Sequence, residues 1–387
     1  MATPKFPFTV TEHVIHGQHV REYPDVTVSA DAKLKLVCAQ AIHPIRQPQP
    51  QSWTWSYMNL VGKICTTGLI SMDIEVGQFG SQMLLTSARV VFAMGHVSGM
   101  IASRLDHSRD LLHIINVFRD QMTQPIVGVG HNLGAGQLIF KSTDTLRFTL
   151  SGVLPSVLHP RLFTSLALIE PVISPDIFTG QGPILAMMSL KRRRKKPYKA
   201  WDKRVFDRWI EHGYRELSVL TKKDSRDNDS DRSLALATSK YQEVLQYLRP
   251  NFSNYKPAEQ CDVDETSHLP HDPLLYPDNI GPPHATSPFY RNEPILAWKL
   301  LRHIRPAVLP LHGPVAPPQV RAEMLNRTGV GIEGNGGVEN SRVRQEVLKG
   351  SHQLPLERVG DTASVLGPWI GQSAQSWKED EDRLAER

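Results

Sequence analysis

Cysteine is scarce in this chain: three residues in 387, Cys38, Cys65 and Cys261, far apart and odd in number. That excludes a disulfide framework and a paired zinc motif, and it suits a reducing compartment. Long apolar runs are absent as well. No stretch reaches the ~18 apolar residues that a membrane span needs. Met1 to Val10 carries one lysine and no apolar core of signal-peptide length. A soluble, cytoplasmic protein is the expectation, and the sequons at Asn251 and Asn326 then mean nothing, because glycosylation requires secretion. Charge of one sign is also missing. With 44 Lys and Arg against 39 Asp and Glu, the formal charge of +5 gives no reason to expect nucleic acid as a partner.

One further absence concerns chemistry. Ile126-Val127-Gly128-Val129-Gly130-His131-Asn132-Leu133-Gly134-Ala135-Gly136 has the outline of a nucleophile elbow, in which an apolar strand ends in G-x-S-x-G and turns sharply into a helix. Gly130 and Gly134 fit that turn, but Asn132 stands where the serine belongs. An amide side chain has no hydroxyl for a histidine to deprotonate, so serine-type acyl transfer cannot start there.

What is present organises the chain as α/β. Residues 1–50 alternate short β-type stretches, such as Phe8-Thr9-Val10 and Val26-Thr27-Val28, with polar turns, which predicts a pair of strands and a linker ending near Gln51. Residues 52–105 show no clean period, and no element is assigned there. Leu111, Leu112, Ile114, Ile115 and Phe118 then repeat at helical spacing before the elbow strand. Ser165 to Ile169 and Ala307 to Leu311 read as buried parallel strands, ending at Glu170-Pro171 and His312-Gly313. A last strand, Val343 to Leu348, leads into Gly350-Ser351-His352, and Trp377 to Arg387 is a charged helix end. The expected fold class is an α/β-hydrolase fold, a mostly parallel doubly wound sheet. Its core would span residues 1–176 and 301–387, with a helical lid inserted over 177–300.

Several other patterns resolve into structural readings. The run Lys191 to Lys196 is a solvated helix end, and Trp201, Phe206 and Trp209 share one apolar helix face. Cys261, Asp262, Asp264, Glu265, His268, His271 and Asp272 match no metal-ligand spacing and form an acidic loop, so no metal is expected. Gly329-Val330-Gly331-Ile332-Glu333-Gly334 spells a dinucleotide fingerprint, but it follows no strand and opens no helix. It is read as a flexible loop, and no cofactor is expected.

The elbow, the late histidine and the intervening insertion resemble the fungal α/β-hydrolases of AK-toxin biosynthesis. The resemblance also rests on Thr11-Glu12-His13-Val14-Ile15, Asp106 to His113, His159 to Leu166, Lys240 to Val244, Phe289 to Pro294, and Gly350-Ser351-His352 with Pro355-Leu356-Glu357. It implies a serine-type hydrolase with a nucleophile, a histidine base, an orienting carboxylate and an oxyanion hole. His352 matches the family's histidine, and Asn132 sits at the serine position. Glu170, at a strand tip, is the candidate acid, because the loop after His312 offers Pro314, Val315, Ala316 and Pro317 but no carboxylate. The Leu133 N–H would serve half of the oxyanion hole and the region Met58 to Lys63 the other half. The implied partner is a small-molecule ester, thioester or related acyl intermediate of a fungal polyketide-type metabolite. Either chemistry survives through a water activated by His352, or the chain binds such a metabolite, or a partner, without turning it over. Relatives of this type often end in a peroxisomal Ser-Lys-Leu, whereas this sequence ends Ala385-Glu386-Arg387. Residues 53–104 and 141–153 depart from the family pattern; retained intron sequence or a decaying gene would produce both departures, and so would a truly divergent protein.

Overall fold

The computed structural model describes residues 9–17, 35–42, 71–79, 82–92, 104–120, 124–142, 162–173, 175, 197–216, 234–236, 293–314 and 316–387. Strands β1 (Thr9–His16), β2 (Lys35–Ile42), β3 (Ser71–Phe79) and β4 (Gln82–Phe92) precede helix α1 (Arg104–Val117). Strand β5 (Ile126–His131) runs into α2 (Leu133–Ser142), and β6 (Ser165–Ile169) follows. Next come α3 (Lys203–Gly213), β7 (Tyr214–Glu216), β8 (Leu234–Leu236), α4 (Glu293–Leu300) and β9 (Ala307–His312). Helix α5 (Pro318–Arg327), β10 (Glu346–Val347), α6 (Leu354–Glu357) and α7 (Val359–Ala385) complete the order.

Among the described residues, eight strands form one sheet in the order β1-β2-β4-β3-β5-β6-β9-β10. Its second half, β5-β6-β9-β10, is parallel throughout. The first half is antiparallel and joins at the β3–β5 pairing. The apolar runs of β5 and β6 are buried at every position, and β9 is buried from Val308 onward, because helices cover both faces of a parallel sheet. Leu111, Ile114 and Ile115 of α1, Leu138 and Ile139 of α2, and Leu166 and Leu168 of β6 share a single core.

Several expectations meet the structure with changes. The first strand extends from Thr9 to His16 and the second lies at Lys35–Ile42, while Val26 to Val28 fall outside the described residues. The unassigned stretch 52–105 contains β3 and β4. The strand expected over Val343 to Leu348 shrinks to Glu346–Val347, with Val343 making a separate bridge to Val308. The charged helix end at Trp377 to Arg387 belongs to a helix that begins as early as Val359. Ala297, Trp298 and Leu300 of α4 pack in the sheet's core although they fall in the range read as lid, and that range also carries the antiparallel pair β7–β8. The lysine and arginine run, the acidic loop around Cys261, and residues 143–160 lie outside the described residues. Gly329 to Gly334 is indeed turn and bend, with the Gly329 N–H and Gly331 N–H donating to the carbonyls of Leu301 and Arg302.

Candidate active site

In a parallel sheet, function gathers where the strand ends deliver side chains to one edge, beyond their carboxyl termini. Here β5, β6 and β9 end at His131, Ile169 and His312, and the residues at or just past these ends meet one another. The main chain ties them together. The Asn132 N–H donates to the Ile169 carbonyl at 3.0 Å, and the Glu170 N–H donates to the Leu311 carbonyl at 2.8 Å.

The turn between β5 and α2 has elbow geometry. Asn132 has φ 57°, in the left-handed region that L residues enter at a cost, asparagine less than most. Gly130 is required there for space: a Cβ on it would lie 2.7 Å from the Ala135 nitrogen and 2.8 Å from the Gly134 carbonyl carbon. Leu133 is the first residue of α2, so its N–H has no intrahelical partner. The Asn132 Oδ1 is buried and has no hydrogen-bond partner. Val172 N–H donates to the Asn132 carbonyl at 3.2 Å, which pins the elbow to the chain beyond Glu170.

Glu170 also has a positive φ, 44°, and its carboxylate is buried at the tip of β6. The Gly313 N–H donates to Oε1, and His352 Nδ1 lies 3.1 Å from Oε2. Burial alone would raise this carboxyl. The hydrogen bonds from His352 and Gly313, with the electrostatic influence of His352 and His312, outweigh it and hold Glu170 below the ordinary carboxylate value. An ionised carboxylate only accepts, so His352 donates from Nδ1, and in the unprotonated ring Nε2 is the basic atom. About a third of the His352 side chain is exposed. Its preceding residue is held by Glu357: the Ser351 N–H donates to Oε2 at 2.8 Å and the Ser351 hydroxyl donates to Oε1.

Two further histidines belong to the cluster, and the sequence reading gave neither a role. His131, immediately before Asn132, donates from Nε2 to the His352 carbonyl at 2.9 Å, and the two rings lie 5.5 Å apart. Burial, followed by the neighbouring His352, pushes the His131 pKa down to about 4. Burial likewise pushes His312 down to about 4, and its Nε2 has no partner. Adjacency to the elbow and to a strand end was the only signal available for these two. Glu357 was visible in the Pro355-Leu356-Glu357 motif, but its bond to Ser351 was not.

The structure thus brings Glu170 and His352 into contact and sets Asn132 and the start of α2 at the same edge of the sheet. The Met58 to Lys63 region lies outside the described residues. Among the described residues, no group of histidine, cysteine and carboxylate side chains could hold a metal ion, and no helix is long and apolar enough to cross a membrane.

No family model matches the chain. It is similar to a type I acyl-CoA thioesterase, mpaH', of Penicillium brevicompactum, with 30% identity over 99% of this chain and 93% of that protein. It is also similar to the abhydrolase domain-containing protein AKT2 of Alternaria alternata, with 24% identity over 64% of this chain and 84% of that protein. Among solved structures, the peroxisomal α/β-hydrolase Lpx1 of Saccharomyces cerevisiae matches with a TM-score of 0.55 and 12% identity, covering 96% of this chain and 90% of that one. That match shows the α/β-hydrolase fold.

Proposed function

The chain belongs to the fungal α/β-hydrolase family that includes the mpaH acyl-CoA thioesterases, and from that premise we propose that it hydrolyses an acyl thioester or related ester without a serine. The acyl group would be that of a polyketide-type metabolite. The observation that carries this reading is the hydrogen bond between His352 Nδ1 and Glu170 Oε2, which leaves the ring's other nitrogen free to take a proton. His352 Nε2 removes a proton from water, the water oxygen bonds to the acyl carbon, and the carbon–sulfur bond breaks. The proton returns from His352 to the departing thiolate. The Leu133 N–H, at the start of α2, would support the oxyanion.

Turnover by this route is slow. A triad enzyme that loses one member keeps only ~10³-fold acceleration over water from its oxyanion hole and binding contacts. Asn132 also favours a second reading, a protein that binds the metabolite and does not convert it, since its side chain offers no nucleophile. One experiment separates the two. Thiol release from acyl-CoA esters and hydrolysis of p-nitrophenyl esters are measured for wild type, Asn132→Ser, His352→Ala and the double variant. Slow wild-type turnover abolished by His352→Ala supports the water mechanism. An inert wild type beside an Asn132→Ser variant that gains His352-dependent turnover overturns it in favour of binding alone.

A further inference from the structure

His131 is buried beside the candidate base, yet the hydrolytic scheme gives it no task. Its Nε2–H donates to the main-chain carbonyl of His352 across 221 residues of sequence. Only a donor can satisfy a carbonyl, so the neutral ring must carry its proton on Nε2. The His352 segment is also fixed from elsewhere: Glu357 holds Ser351, the Gln353 N–H donates to the Ser351 hydroxyl oxygen at 3.0 Å, and Glu170 holds the His352 ring. Each of these bonds constrains something different. Glu357 sets the main chain before His352 and Glu170 sets the ring's rotation. The His352 carbonyl is pinned from the elbow by His131.

We propose that His131 is a positioning residue that couples the elbow to the base, fixing the main chain of His352 so that its ring is presented correctly both to Glu170 and to the acyl carbon above Asn132. The proposal rests on the reading of His352 as the base. It places the tie on the residue next to the nucleophile position, so elbow and base are joined by a direct hydrogen bond. Misplacing a base by about 1 Å costs about 10²-fold in rate, which gives a bond 2.9 Å long but remote from the reacting atoms a measurable consequence.

The test uses the reach of the side chains. The Nε2 of glutamine extends about as far as that of histidine, whereas the Nδ2 of asparagine stops near the place of Nδ1. His131→Gln therefore keeps the bond and His131→Asn loses it. His131→Phe keeps the volume without a donor, should the asparagine variant fold poorly. In histidine-labelled protein, the His352 Nδ1–H resonance, assigned with His352→Gln, reports the Glu170 bond directly. Wild type and His131→Gln should show the same protected proton, while in His131→Asn and His131→Phe it exchanges with water at least tenfold faster. In an Asn132→Ser background, kcat for acyl-CoA hydrolysis should fall about tenfold in His131→Asn, with KM unchanged and recovery in His131→Gln. An unchanged His352 resonance in folded His131→Asn and His131→Phe overturns the proposal, even if activity falls. Loss of proton protection without turnover in any variant leaves the positioning role standing and removes the hydrolase reading instead.

Discussion

Asn132 is well suited to its backbone and ill suited to its place in the chemistry. Its φ of 57° is one that asparagine adopts more readily than most L residues, but its Oδ1 is left buried without a donor. Serine there removes the stranded acceptor and supplies a hydroxyl, so Asn132→Ser is expected to fold. The charge of Glu170 is the other decisive residue-scale quantity. Glu170→Gln keeps an acceptor for the Gly313 N–H but loses the carboxylate that accepts from His352 Nδ1 and so fixes its tautomer. In the Asn132→Ser background it should lower kcat by ~10²-fold or more, with little change in KM, as measured by steady-state thioester hydrolysis.

A tight local constraint lies in the turn from β5 into α2. A methyl group on Gly130 would press on backbone atoms of Gly134 and Ala135, which cannot move aside as a side-chain tip can. Gly130→Ala should therefore destabilise the protein by about 2 kcal/mol or more in urea unfolding, where an exposed glycine-to-alanine change costs far less. The loop after β10 depends on one carboxylate. Glu357→Gln keeps an acceptor for one of the two Ser351 donors, and Glu357→Ala removes both bonds. The alanine variant should cost about 1–3 kcal/mol and the glutamine variant about half that, read as a shift in denaturant midpoint.

Elements were legible where pattern and environment agreed. The strands at Ile126, Ser165 and Ala307 were visible because parallel strands buried on both faces are written as unbroken apolar runs. Strand β3 was missed although Met72, Ile74 and Val76 alternate with Asp73 and Glu75. The alternation is brief, the register shifts after Glu75, and the flanking sequence has no period of its own. The first half of α7 was missed for a different reason. Gly360, Gly367, Pro368 and Gly371 argue against a helix, and burial of Leu366, Trp369 and Ile370 against the core overrides them.

Across the whole molecule, the histidine cluster ties stability to pH. His131 and His312 have pKa values lowered to about 4 from an ordinary 6.5, so on acidification the unfolded chain takes up these protons before the folded one. Stability should fall as pH drops from 6.5 towards 4. Glu170 acts in a lower window, because its carboxyl is depressed below 4.5; its contribution is complete above that value and is lost only as pH falls through the folded pKa. Urea midpoints measured from about pH 7.5 to about pH 5 should decline with acid, and His312→Phe should flatten that decline. A slope unchanged by the substitution would mean that His312 is not a buried neutral group.

The family resemblance pointed to Glu170 and His352 as the residues to pair, while the sequence alone determined that this is an α/β chain with an elbow pattern and that Asn132 stands at the centre of that pattern. Those are properties of runs, spacings and residue types, which local chemistry writes directly into the chain. Only the tertiary structure decided that Glu170 takes its second hydrogen bond from Gly313, that Glu357 holds the histidine loop, and that His131 reaches the His352 carbonyl. Those contacts join residues that no period connects, and they arise where β5, β6, β9 and the loop after β10 come together at one edge of the sheet. A parallel ladder brings its strand ends to a common edge whatever the length of chain between them, so that meeting is a product of the sheet and not of any one segment.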